Sequence, residues 1–280
     1  MMITISNGSD FVSIEGTDIL SLKTIIKVDE ISASLPIDEL KATIRWTSDE
    51  DIPLTYNAKI TVFTLLEQIG QYYCRNIKKM GNVYTFEAVS KIGILADANF
   101  AGKFFPRGTV FSEAVKSIIG NTILYEFEDE SQDFELEEGF IGHCSQREAI
   151  RHLCMSNGVT VYNVGGNIRF RRTFGGILTE TMYDKFSYQQ NRVFDDYVVE
   201  DVDMYSHYSV DVYTFDTQYQ YDQHVTDPTT GTKYYYTTEK VTELNPDYPS
   251  DKPKNELYVQ GEQLITSYGA AASLISNLKR

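Results

Sequence analysis

Short runs of β-branched and aromatic residues, most of them ended by Gly, Asn, Asp or Pro, leave the first third of this chain few ways to fold. Ile3 to Ile5, Ile19 to Val28, Leu40 to Trp46, Lys59 to Phe63, Tyr72 to Ile77 and Val83 to Val89 are such runs. Lys79-Met-Gly-Asn82 has the character of a hairpin turn between the last two. Many short strands at this spacing predict a barrel or sandwich. With 42% hydrophobic and 13% aromatic residues, the chain can bury a core. Its 20 tyrosines against one tryptophan favour β-structure and amphipathic packing surfaces.

The middle of the chain reads differently. Phe111 to Ile119 places Val115, Ile118 and Ile119 at helical spacing, and Gly120 is a stop. Glu126 to Glu138 holds eight carboxylates without the alternating order of a calcium loop, and reads as a solvated loop or polar strand face. The segment Phe140 to Gly158, FIGHCSQREAIRHLCMSNG, gathers two of the four histidines and two of the three cysteines. Ser145 and Glu148 form an S-x-x-E capping box, and Asn157-Gly158 is a C-terminal stop, so a helix is predicted over 146–156. At roughly 100° per residue, His152 and Cys154 point roughly 160° apart and cannot readily share a metal ion. Cys154 falls on the apolar side beside Ile150, and His152 toward the polar side. Cys144 sits just before the helix N-terminus, where the dipole would lower a thiol pKa. His143 beside it in sequence is not thereby beside it in space. The segment reads as a structural capped helix, with no catalytic, cofactor or metal residue assigned. A tight hairpin over Val159–Arg171 follows.

From Arg192 onward the chain is again β-like. Gln218 to Thr226 and Thr232 to Val241 flank the turn Asp227-Pro-Thr-Thr-Gly231 and predict a long hairpin. A strand over Leu257–Gln260 and a helix from near Ser267 come last.

Charge and motifs exclude several functions. A net charge of −15 argues against gripping phosphate backbones. Three cysteines imply no disulfide framework. MMITISNGSD lacks the basic region and apolar run of a secretory leader. No stretch approaches the roughly 18 apolar residues of a membrane span. G-x-S-x-G, G-x-x-x-x-G-K-[ST] and H-E-x-x-H do not occur.

Three blocks carry a family resemblance. They are Leu35-Pro-Ile-Asp-Glu-Leu-Lys-Ala-Thr-Ile44, then Tyr84-Thr-Phe-Glu-Ala-Val-Ser-Lys-Ile-Gly-Ile-Leu95 with Phe100-Ala-Gly-Lys-Phe104, then Gly139-Phe-Ile-Gly-His-Cys-Ser-Gln-Arg-Glu-Ala-Ile150 with Gly158-Val-Thr-Val-Tyr162 and Ile168-Arg-Phe170. In this order, over roughly residues 30–175, they resemble the baseplate or tail hub proteins of phages and phage-derived contractile particles, of the late control D type. The resemblance implies an α+β, mainly β fold: two small β-barrel-like domains with an intervening α/β segment. The expected division is a tube-like first barrel over 1–97, an α+β middle domain over 98–190, and a second tube-like barrel over 191–280 ending in a helix.

The resemblance also implies a non-enzymatic component of the virion tail with no cofactor. A homotrimer would form a pseudo-sixfold ring between the tail tube protein and the spike or tip protein, and DNA would pass through without specific binding. Between Arg192 and Lys233 there are nine acidic residues and no Lys or Arg, which suits a conduit that must not hold its cargo. Asp201, Asp203 and Asp211 share odd parity and are the candidate channel-lining residues. Two other roles stay open: a tail-associated cell-wall hydrolase, and a glycan- or receptor-binding tail module whose tyrosines stack sugars.

Overall fold

The short strands predicted in the first third of the sequence form one antiparallel sheet. Its strands are β1 (Met2–Asn7), β2 (Asp10–Glu15), β3 (Ile19–Ile25), β4 (Glu39–Arg45), β5 (Lys59–Phe63), β6 (Gln68–Met80) and β7 (Val83–Val89), in the order β2-β1-β5-β6-β7-β4-β3. This is a computed structural model, and it describes residues 1–25, 35, 37–64, 68–128, 133–164, 166–172, 205–218 and 222–279. Leu40, Ala42 and Ile44 of β4 and Tyr84, Phe86 and Ala88 of β7 alternate into one core with Ile3, Ile5 and Ile60. The opposite face keeps polar pairs such as Lys41–Glu87 (2.8 Å). Register shifts at Val62/Phe63 and Cys74/Asn76 mark bulges, which increase twist and curl. β2 and β3 are the two edges of the sheet. The expected barrel is thus a curled half-barrel. Asp10–Glu15 was not foreseen as a strand, because its acidic ends blur the pattern.

The middle of the chain forms α1 (Lys91–Leu95), β8 (Asn99–Phe100), β9 (Lys103–Phe105), α2 (Phe111–Ile119), β10 (Tyr125–Phe127), β11 (Gly139–Ile141), β12 (Cys144–Ser145), α3 (Gln146–Asn157), β13 (Val159–Val164) and β14 (Asn167–Arg172). The predicted hairpin is β13–β14, and β10 joins β14 in parallel. Phe105, Phe111, Ile118, Ile150, Leu153 and Phe170 fill the core between helices and strands. Two residues far away in sequence complete it, Leu35 and Leu264. Leu35 has φ 45°, an uncommon conformation for a residue other than glycine. Its carbonyl accepts from both Nε (2.9 Å) and Nη2 (2.7 Å) of Arg147 on α3.

The last part holds β15 (His207–Asp216), β16 (His224–Thr226), β17 (Lys233–Leu244), β18 (Glu256–Val259) and α4 (Tyr268–Leu278). The sheet order is β16-β17-β15-β18, with β18 parallel to β15. Among the described residues, the hairpin expected between the arms flanking Asp227 pairs over three residues. Most of β17 instead pairs with β15, over ten residues. β15 is packed on both faces. Val210 and Val212 meet Ile265, Leu274 and Ile275 on one side, while Tyr213 and Phe215 join Phe104 on the other. The molecule is α+β and mainly β, built on curled half-barrel sheets.

Between β18 and α4 runs a strap, Gly261 to Thr266. It is not extended: Ile265 N donates to Glu262 O at 2.9 Å and closes a turn over Gln263 and Leu264, which sends successive side chains to different sides. Leu264 enters the middle core and Ile265 enters the core under the last sheet. Phe140 N donates to Gln263 O (3.2 Å) and Tyr213 N to Ile265 O (2.8 Å), so the strap is held from both sides. Gly139 lies under it. A Cβ there would sit 2.7 Å from the Gln263 carbonyl oxygen and 2.8 Å from Leu264 Cα.

Gly139→Ala is therefore expected to cost about 1–3 kcal/mol, the range for overpacking. Gly142→Ala, where the nearest atom is 3.8 Å from a built Cβ, should be near neutral. Thermal unfolding of both variants checks this. Equal melting temperatures would show that the strap does not need the close approach.

Candidate functional site

The capped helix forms as its sequence dictates. Ser145 is extended (φ −68°, ψ 154°) and its Oγ accepts from Glu148 N at 3.1 Å. Gly158 closes the helix in the left-handed region (φ 61°, ψ 43°). Cys154 is fully buried in the middle core, and burial pushes its thiol well up. His152 leaves on another side of the helix and meets Glu262. His143 is exposed, whereas Cys144 is half-buried in β12. The helix dipole does not activate Cys144. Burial, followed by the charge of Glu148, raises its thiol to about 11. Among the described residues no group of three or more His, Cys, Asp or Glu is placed to hold a metal ion.

The charged cluster on α3 was not legible in the sequence, because one of its four members, Glu262, comes from the strap. Arg151 Nε lies 2.8 Å from Glu148 Oε1, and Arg151 Nη2 lies 3.1 Å from Glu262 Oε1. His152 Nδ1 is 2.5 Å from Glu262 Oε2. The Glu262 side chain is 6% exposed, so its charge must be met locally. Burial works against its ionisation. The hydrogen bond from His152 and the charges of His152 and Arg151 prevail and hold the carboxyl below its ordinary range. The cluster has the geometry of a lock between helix and strap.

Of the candidate channel-lining residues, Asp201 and Asp203 lie outside the described residues. Asp211 lies on β15, where it is buried and its Oδ1 accepts from Tyr258 OH at 2.5 Å. Asp227, another member of the acidic run, is an internal organiser. Its Oδ1 accepts from Thr229 N (2.7 Å) and Thr230 N (3.0 Å), and its Oδ2 from Phe104 N of β9 (2.9 Å). Burial resists its charge, but these backbone donors and Lys103 lower its pKa nonetheless.

No family model and no curated protein matches the chain. Solved structures do resemble it. The chain is similar to the 43 kDa tail protein of prophage MuSo2 from Shewanella oneidensis, with TM-score 0.55 and 11% identity over 100% of this chain and 78% of that one. It is also similar to the tail protein from Neisseria meningitidis MC58, with TM-score 0.57 and 11% identity over 99% of this chain and 75% of that one. At this identity the likeness is one of fold. Among the described residues no helix is long and apolar enough to cross a membrane.

Two outcomes follow from the α3 geometry. Ser145→Ala should cost about 1 kcal/mol through the lost cap, whereas His143→Ala, at an exposed position, should cost less than about 0.5 kcal/mol. Glu262→Gln should cost roughly 1–3 kcal/mol at pH 7. Because the folded pKa of Glu262 is depressed, its contribution is present above the ordinary value of about 4.3 and is lost as pH falls through the lower folded value. The stability gap between wild type and Glu262→Gln in urea unfolding should therefore be full at pH 7 and narrow below about pH 4. A gap that is constant or widens on acidification would contradict the lock.

Proposed function

We propose that this chain is the structural hub of a phage or phage-like tail baseplate. Three copies form a ring that joins the tail tube protein to the spike or tip protein and surrounds the central channel. The observation that carries this reading is the pairing of two curled, open-edged sheets within one chain, in a fold shared with prophage tail proteins. An exposed sheet edge is a template for pairing and must be covered or blunted. Three chains bring six curled sheets, which matches a hexameric tube above and a threefold tip below. The role is mechanical rather than catalytic, and the place is the virion tail.

Part of the acidic run between Arg192 and Lys233 gives such a ring its negative bore. DNA carries about one charge per 1.7 Å of axis, so a negative wall lets it pass without sticking. Threefold repetition focuses the potential in a narrow channel. In this scheme Asp201 and Asp203 line the bore, and Asp211, held beneath Tyr258, adds its charge to the field.

Native mass measurement of the hub with its tube and tip neighbours should give three copies. One or six copies would overturn the hub. Replacing Asp201 and Asp203 with Lys should leave assembly intact and make DNA ejection slower and salt-sensitive. Unchanged ejection would remove these residues from the channel wall. Release of fragments from purified cell wall by the chain would instead favour a hydrolase.

A further inference from the structure

The aromatic group between the middle region and the last sheet borders an open cleft of about 380 Å³, lined by Glu138, Phe215, Asp216, Thr217, Gln218 and Tyr234. That size falls in the roughly 300–1,000 Å³ range of small-molecule clefts. The aromatic wall is held from behind. Tyr234 stacks on Phe104 with centroids 3.6 Å apart and planes 6° apart, and Phe104 meets Phe215 edge-on at 5.3 Å. Phe104 is itself fixed by the bond from its backbone N to Asp227. One face of the Tyr234 ring is thus taken by Phe104, while the residue remains half-buried at the cleft.

The polar wall is equally well placed. The Glu138 carbonyl accepts from Thr266 Oγ1 (3.0 Å), which fixes the backbone. Its carboxylate has no partner among the described residues. Asp216 Oδ1 accepts from Gln218 N (2.6 Å), which sets the turn carrying Thr217 and Gln218. Two carboxylates, a carboxamide and a hydroxyl thus stand beside the aromatic wall, with no Lys, Arg or His among the described lining residues.

We propose that this cleft binds a neutral saccharide. A pyranose presents an apolar C–H face, which suits the ring of Tyr234, and hydroxyls at its edge that both donate and accept. Carboxylates accept from such hydroxyls, and the carboxamide and Thr217 hydroxyl can do both. An anionic ligand would be repelled by Glu138 and Asp216. A simple cation would use only the acceptors and leave the aromatic wall and the donors idle. The site does not depend on the hub reading, since it lies within one chain.

The experiment is saturation-transfer NMR and titration of the full chain with three neutral trisaccharides: maltotriose, cellotriose and the N-acetylglucosamine trimer. The glucosamine trimer and a sialylated trisaccharide are the charged controls. At least one neutral probe is expected to bind with a dissociation constant on the order of 1 mM or tighter. Tyr234→Ala should weaken it roughly tenfold, and Tyr234→Phe should retain it. Because Tyr234→Ala also removes the stack on Phe104, Glu138→Ala and Gln218→Ala serve as surface variants, each expected to weaken binding about threefold to tenfold. The proposal fails if no neutral probe binds. It fails equally if the surface variants leave binding unchanged, or if only the cationic trimer binds. Cleavage of a bound trisaccharide would overturn a pure binding role.

Discussion

The strap from Gly261 to Thr266 is the constraint on which the rest of the molecule depends. Two successive side chains, Leu264 and Ile265, are buried in different cores. The turn closed by Ile265 N donating to Glu262 O (2.9 Å) sends these neighbours to different sides, so one short segment serves both cores. Its backbone is bonded on one side to Phe140 and on the other to Tyr213. Removing a buried leucine typically costs about 2–5 kcal/mol. Displacing the strap would expose apolar surface in two places together. Gly139 is required beneath it for a steric reason, and Glu262 ties it to Arg151 and His152.

The first sheet is joined to the middle by polar contacts rather than by a second strap. Asn163 Nδ2 donates to Asp38 Oδ2 at 2.8 Å. Arg147 holds the Leu35 carbonyl while the Leu35 side chain fills the middle core. Buried polar groups are costly unless paired, so these bonds specify how the sheet sits on the helices as much as they stabilise it. The acidic composition is put to several uses. Asp227 organises a turn and pins β9, Glu262 locks the strap, and Asp211 is held under a tyrosine. A carboxylate run in sequence is therefore not one surface in space.

Locally encoded features were legible from the residues. The cap at Ser145, the stop at Gly158, the helix over Phe111–Ile119 and the hairpin after Gly158 all rest on contacts within a few positions. The runs Leu40 to Trp46 and Val83 to Val89 likewise announced β4 and β7. The divergence of His152 and Cys154 followed from helix geometry alone. The partner of His152 did not, since Glu262 is more than a hundred residues away and nothing near His152 marks it.

By itself, then, the sequence determined the mainly β class, the capped helix and the tight turns, because each is governed by backbone preference and short-range hydrogen bonding. Only the tertiary structure decided how the strands associate. It gave β17 to β15 rather than to a long hairpin with the arm before Asp227, and it sent Leu35 and Leu264 into a core built by residues in between. It also raised the Cys144 thiol where the helix end alone would have lowered it. The physical reason is common to all three. Burial and strand pairing depend on which surfaces meet after the chain has closed on itself, and distant residues leave no local pattern of the meeting.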